Sequence, residues 1–132
     1  MLVPTADELV RKHCAPCEGG VPPIDPEQAA ERLGSIPGWS LSSDGKRLRR
    51  SWVVKNFQAG IDFFATVAVL AESEGHHPDL HLEGYRNLAV ELWTHAIGGL
   101  SENDFILAAK INEVPLSVRR AASSEEPSSA QS

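Results

Sequence analysis

Cysteine is scarce in this sequence: two residues, Cys14 and Cys17, in a chain of 132. That excludes a small secreted scaffold stapled by several disulfides. Long apolar runs are missing as well. The longest, Phe63 to Ala71 with Thr66 inside it, spans nine residues between Asp62 and Glu72. This is far short of the ~20 that a membrane-crossing helix needs, so no membrane partner is expected. Basic residues are outnumbered, 12 Lys and Arg facing 18 Asp and Glu for a formal charge of −6. Such a balance argues against nucleic-acid binding, which relies on surplus cations to neutralise phosphates. The amino terminus MLVPTADELV has neither a basic stretch nor a long apolar one and carries Asp7 and Glu8. No secretory signal is read there, and the expected location is the cytoplasm.

What is present is an ordinary globular composition, 42% apolar and 23% charged, enough for one core. Residues 1–25 read as an N-terminal arm: a short helix from Thr5 to Lys12, then CAPCEGGVPPID, irregular in Gly, Pro and Cys. Residues 26–115 hold the periodic patterns of a folded domain. Residues 116–132 are small and polar after Val118 and read as a flexible tail.

Within the domain, Asp25, Pro26 and Glu27 are helix-start signals for a helix of about 26–35, stopped by Pro37-Gly38. An Asp44-Gly45 turn then separates two extended stretches, the second with Leu48, Arg50, Trp52 and Val54 on one side. A long helix is expected from Asn56 to Glu74, with Phe57, Ile61, Phe64 and Ala68 as its sheet-facing stripe and Gly75 closing it. A second row, Phe63, Val67 and Leu70, makes the apolar arc wider than one stripe requires, and predicts a homodimer or homotetramer sealed through the 56–74 helix. Leu80 and Leu82, then Leu88, Val90 and Leu92, alternate with polar residues in a second antiparallel pair turning near Glu83-Gly84. Ser101-x-x-Asp104 opens a last helix of about 102–113. The order α-β-β-α-β-β-α predicts an α+β fold, a four-stranded antiparallel sheet with helices on one face. Lys46, Arg47, Arg49, Arg50 and Lys55 gather around one strand, as a solvated face or as a contact for an anionic partner.

Chemistry concentrates where elements end. His76 and His77 follow the long helix and precede Pro78, Glu72 stands one turn before His76, and His95 ends the last strand. A carboxylate one turn away orients or charges an imidazole. The topology gathers His76, His77, His95 and Trp39 around one cleft. As an isolated pair, His76-His77 would serve as a helix C-terminal cap.

The stretch E72-S-E-G-H76-H77-P78, then six residues to Tyr85, nine more to His95 and eight more to Asp104, resembles the signature of the pterin-4a-carbinolamine dehydratase family. P37-G-W39, V54-K-N-F57, T94-H95 and G99-L-S-E-N-D104-F extend the likeness from about Pro26 to Glu113. The resemblance implies dehydration of 4a-hydroxytetrahydropterin to quinonoid dihydropterin, without metal or other cofactor. It implies catalytic roles for His76, His95 and Glu72, and pterin-binding roles for His77, Trp39, Thr94 and Asp104. Which histidine donates and which accepts stays open, and Asp104 has a helix-capping role of its own to explain it. Imidazole suits the task because its ordinary pKa of about 6.5 lies near working pH.

The sequence is also similar to a branch of that family that serves as assembly factors for Rubisco, in C14-A-P-C17-E-G-G, W52-V-V-K-N-F57, H76-H-P-D-L-H-L82 and W93-T-H-A-I-G-G-L-S-E-N-D-F-I-L-A-A-K-I-N112. That likeness implies a non-catalytic chaperone with the Rubisco large subunit as partner, associated with carboxysomes. Cys14-x-x-Cys17, preceded by His13, admits three readings: reduced structural thiols, half of a zinc site completed by His13 or His81, or a redox pair.

Overall fold

The computed structural model describes residues 3–15, 22–116 and 118. Helix α1 spans Ala6–Arg11, α2 Pro26–Arg32, α3 Phe57–Glu74 and α4 Glu102–Asn112; strands β1 to β4 are Ser40–Leu41, Leu48–Val53, Asp79–Glu83 and Asn87–Leu92. Two single-turn 3-10 helices, Leu33–Ser35 and His95–Ile97, complete the regular structure among the described residues.

Local chemistry accounts for most boundaries. Thr5 and Glu8 cap α1 reciprocally, Asp25 accepts from the Gln28 amide at 2.9 Å ahead of Pro26, and Asn56 accepts from the Ala59 amide at 2.8 Å. Gly75, at φ +66, ends α3. Its amide and that of His76 turn back to the carbonyls of Glu72 and Ala71, 3.3 and 3.2 Å away. This is a left-handed close that a β-carbon disfavours. The helix expected over 26–35 is α2 relaxing into the tighter 3-10 turn at Leu33–Ser35.

All four strands pair antiparallel in the order β1-β2-β4-β3. The first hairpin differs from the tight Asp44-Gly45 turn expected. Ladder pairing stops at Leu41 and Leu48, and the chain between forms a wider loop in which Asp44 Oδ1 accepts from the Ser42 hydroxyl and the Lys46 amide, at 2.6 and 3.0 Å. The second hairpin turns at Gly84-Tyr85, both at positive φ.

Register puts Leu48, Arg50 and Trp52 across from Leu92, Val90 and Leu88, and these in turn across from Leu80 and Leu82. The resulting face meets Ala29, Phe63, Val67, Phe105, Leu107 and Ile111 of the helices. Arg49, Ser51, His81 and Glu91 stand on the other face, which the helices leave uncovered. The two rows expected on α3 largely change places: Phe63 and Val67, expected to seal an interface, are buried in the core with Gly60 and Ala71, whereas Phe57, Ile61 and Ala68 of the expected sheet-facing stripe are exposed and Phe64 alone of that stripe packs partly on the core. Gly60 sets that rotation, because a β-carbon there would stand 3.2 Å from Leu82 Cδ2 on β3. The helix therefore lies on its smallest residue.

Leu9 of α1 is fully buried in the same core, so the described part of the N-terminal arm, residues 3–15, is anchored to the domain. The basic cluster is largely tied down: Arg49 is 2.6 Å from Glu91, and Arg50 reaches Asn112 at 2.6 Å and the Pro37 carbonyl at 3.0 Å. Leu116 packs on the core and Val118 bridges Val54; residues 117 and 119–132, the bulk of the expected tail, lie outside the described residues, as does Cys17. No helix among the described residues is long and apolar enough to cross a membrane.

Candidate active site

The C-terminal end of α3, the end of β4 and the start of α4 enclose a cavity of about 620 Å³. His76, His77, Asp79, Trp93, Thr94, His95, Asn103 and Cys14 are among the residues lining it. The volume falls in the range of small-molecule sites. A shallower groove of about 420 Å³ beside α3, lined by Lys55, Asn56, Asp62 and Thr66 among others, contains neither His nor Cys.

His76 is the anchored member of the cluster. Its Nε2 lies 2.6 Å from Asp104 Oδ1, with the imidazole 11% exposed and the carboxylate fully buried. Asp104 Oδ2 accepts from the Thr94 hydroxyl at 2.7 Å and from the Ser101 amide at 3.0 Å. The same carboxylate therefore closes the first turn of α4 and orients a ring 28 residues away in sequence. Burying it is tolerable because three donors surround it.

His77 points the other way around the helix end: its Nε2 is 2.7 Å from Glu72, and both side chains are largely exposed. This corrects the expected pairing of Glu72 with His76. Glu72 does not line the cavity, and the carboxylate that serves His76 is Asp104, brought in by α4. His95 opens the 3-10 turn after β4, its ring stacked at 3.9 Å on Trp93.

Trp39 is a second correction. It is 5% exposed, edge-on to Trp52 at 6.4 Å, and its indole N–H donates to Asn112 at 2.9 Å. It holds the Pro37 turn to the end of α4 and lies outside the cavity's lining. A buried indole needs an acceptor, and Asn112 was the residue that sequence reasoning overlooked.

Sequence reasoning also missed Glu74. Its side chain is 5% exposed and takes up the Cys14 amide at 2.8 Å, His13 Nδ1 at 3.2 Å and Lys110 Nζ at 3.3 Å. Asn103 completes the clamp, exchanging hydrogen bonds with the backbone of Ala15. Cys14 and Ala15 thus become one wall of the cleft. Burial pushes the Cys14 thiol up to about 12, helped by the neighbouring Glu74 and Asp104 charges, which disfavours the thiolate that metal binding or redox exchange would use. No group of three or more His, Cys, Asp or Glu residues that could hold a metal occurs among the described residues.

Burial alone would raise the Glu74 carboxyl. The Cys14 amide, His13 and Lys110 outweigh it and leave the group below its ordinary 4.5. A carboxyl depressed in the folded state stabilises the fold above its unfolded pKa, and that contribution fades as pH falls through the folded value. Glu74→Gln is therefore expected to lower the melting temperature at pH 7, with the gap to the parent protein narrowing below about pH 4.5. Thermal melts between pH 3 and 7 check this; a gap that stays constant across that range would contradict it.

The fold is an α+β sheet with one helical face, and three imidazoles, one of them on a buried carboxylate, line a single cavity at its edge. Residues 22–114 match the family described as pterin 4 alpha carbinolamine dehydratase, and the chain belongs to that family. It is 54% identical over 110 residues to pterin-4-alpha-carbinolamine dehydratase 2, mitochondrial, of Arabidopsis thaliana, covering 81% of this chain and 59% of that protein's length. It is 44% identical to a putative pterin-4-alpha-carbinolamine dehydratase of Dechloromonas aromatica, covering 83% of this chain and 96% of that one. Among solved structures, a transcriptional coactivator/pterin dehydratase from Brucella melitensis superposes with a TM-score of 0.64 at 30% identity, over 69% of this chain and 96% of that one.

Proposed function

We propose that this protein is a hydro-lyase that dehydrates a 4a-hydroxytetrahydropterin to the quinonoid dihydropterin, with His76 and His95 sharing the proton transfers. The observation that carries the reading is the single cavity lined by His76, His77 and His95, with His76 held by the buried Asp104. The reaction breaks the C4a–O bond, forms the N5=C4a double bond and moves the N5 proton to a base, while an acid delivers the proton that turns the leaving hydroxyl into water. Loss of water is redox-neutral, so the balance requires no electron carrier. Two imidazoles on different elements suit two transfers at different atoms. Asp104 fixes the orientation of His76 and stands opposite the charge that the ring acquires on taking a proton. Thr94 steadies Asp104 from β4's end, and His77, at the exposed mouth, meets the substrate on entry.

The test is direct. Purified protein should accelerate dehydration of a 4a-hydroxytetrahydropterin well above background, followed as absorbance change in a coupled hydroxylase assay. No acceleration would overturn the reading. A protein inert in that assay that raises the yield of Rubisco in a heterologous host would be an assembly factor instead.

The outer row of α3, with Phe57 52%, Ile61 40% and Val69 72% exposed, supports self-association through this helix, because a contiguous apolar face on a small domain is normally covered. Light scattering should give a homodimer or homotetramer, and Ile61→Glu with Val69→Glu should shift it to monomer; unchanged mass in the double variant would exclude α3 as the contact.

A further inference from the structure

The three imidazoles of the cleft are held by different means. His76 and His77 each face a carboxylate. His95 makes no ring hydrogen bond among the described residues, and what holds it is Trp93, with ring centroids 3.9 Å apart and planes tilted by 37°.

Trp93 is held in turn. The pairing of Leu48 with Leu92 sets Arg47 and Trp93 opposite one another just beyond the ladder, and the Arg47 guanidinium lies 4.3 Å from the centre of the indole. Arg47 itself sits between Asp79 at 3.7 Å and Glu91 at 3.8 Å, and Glu91 is fixed by Arg49 at 2.6 Å. A cation over an indole is attracted by the ring's negative face. The chain of contacts therefore runs from the open face of the sheet, through an aromatic ring, to an imidazole in the cleft.

One detail shows what sets the indole's position. Its Nε1 is buried without a hydrogen-bond partner among the described residues. Leaving a buried N–H unpaired costs stability, and Trp39 in the same fold satisfies its own N–H at Asn112. Trp93 lies where Arg47 and His95 can stack on it, not where its own donor would be satisfied.

We propose that Trp93, locked by Arg47, is a positioning residue for His95, fixing the plane of the imidazole while leaving both of its nitrogens for substrate and water. A carboxylate partner would commit one nitrogen; a stacked ring commits neither. This rests on the acid–base reading of His95 and adds the device that orients it.

Because Trp93 also lines the cavity, the test separates orientation from contact. Arg47 lies outside the lining and touches it at two points, the indole and Asp79, so Arg47→Met is read beside Asp79→Asn, which removes the second contact and leaves the stack. An Asp79→Asn that reproduced the Arg47→Met loss would assign that loss to the ion pair and overturn the role of the stack. Arg47→Met is expected to lower kcat several-fold and Trp93→Ala about tenfold, with KM within about twofold in both, since misplacing a reacting group slows chemistry without weakening binding. Trp93→Phe, which keeps a stacking ring, should recover most of the loss. Independently of turnover, the His95 ring-proton resonances should lie upfield in the parent protein and move downfield in Trp93→Ala. Resonances that do not move, or a raised KM with unchanged kcat, would overturn the proposal. If His95→Ala kept full activity while the resonances still shifted, the acid–base reading would fail and the stack would stand. If Trp93→Ala does not fold, Arg47→Met and Trp93→Phe decide the matter by the same readouts.

Discussion

Asp104→Ala is expected to damage the fold and the chemistry together. The carboxylate is fully buried and accepts from Thr94, the Ser101 amide and His76. Its removal leaves several buried donors unpaired, at about 1–3 kcal/mol each where no water replaces it. It also removes a helix cap, at about 1 kcal/mol. A net loss of about 3 kcal/mol should appear as a lower midpoint in urea, a large share of a small domain's stability. Asp104→Asn separates the two effects. Its amide oxygen can still accept from Thr94 and Ser101, so most of the stability should return, while the negative charge opposite His76 does not. Dehydration by Asp104→Asn should therefore stay roughly 10²-fold slow, the size of a lost acid–base contribution, in a protein whose urea midpoint is close to the parent's. Parent-like kcat in a well-folded Asp104→Asn would show that the carboxylate serves the helix alone.

The second large effect concerns the histidines themselves. His76→Ala and His95→Ala should each lower kcat by about 10²–10³-fold, the range typical of a positioned acid or base. The double variant should be little worse than either single one if the two act in one concerted step. Their stabilities should differ. Removing His76 takes a donor from a buried carboxylate, and about 1–2 kcal/mol should go with it; His95 is exposed, and its loss should leave the urea midpoint nearly unchanged. His77, paired with Glu72 at the cleft's mouth, should raise KM more than it lowers kcat when replaced by Ala. Equal kinetic behaviour of all three variants would remove the assignment of roles.

How much of this was legible in the sequence follows from what each signal measures. Element order came through because caps and periods are local: Asp25-Pro26, Asn56 and Ser101 each announce a helix within four residues. The cluster of His76, His77 and His95 came through because each stands at the end of an element, and ends of neighbouring elements meet. The errors about the site are mostly questions of which way a side chain faces. Whether Phe57 or Phe63 faces the sheet is not written in a helix with two apolar rows, and was decided by the close approach of Gly60 to Leu82. Glu72 was matched to His76 by sequence distance, but the left-handed turn at Gly75 swings His76 away toward α4. Trp39 was placed in the cleft by topology and by likeness, and the acceptor that draws it inside, Asn112, lies 73 residues on. Glu74, whose partners come from the arm and from α4, gives no local signal at all.

Asp104 carries one consequence for reading related chains. Because the first turn of α4 needs it regardless of any reaction, a descendant that abandoned catalysis and lived as a scaffold would still be selected to keep it, and His76 with it as its partner. His95 closes no helix and pairs with no buried charge; its ring contact is the stack on Trp93, which Arg47 also holds. If the proposed chemistry is right, the occupant of that one position in related chains should track dehydratase activity, whereas the aspartate should track only the architecture.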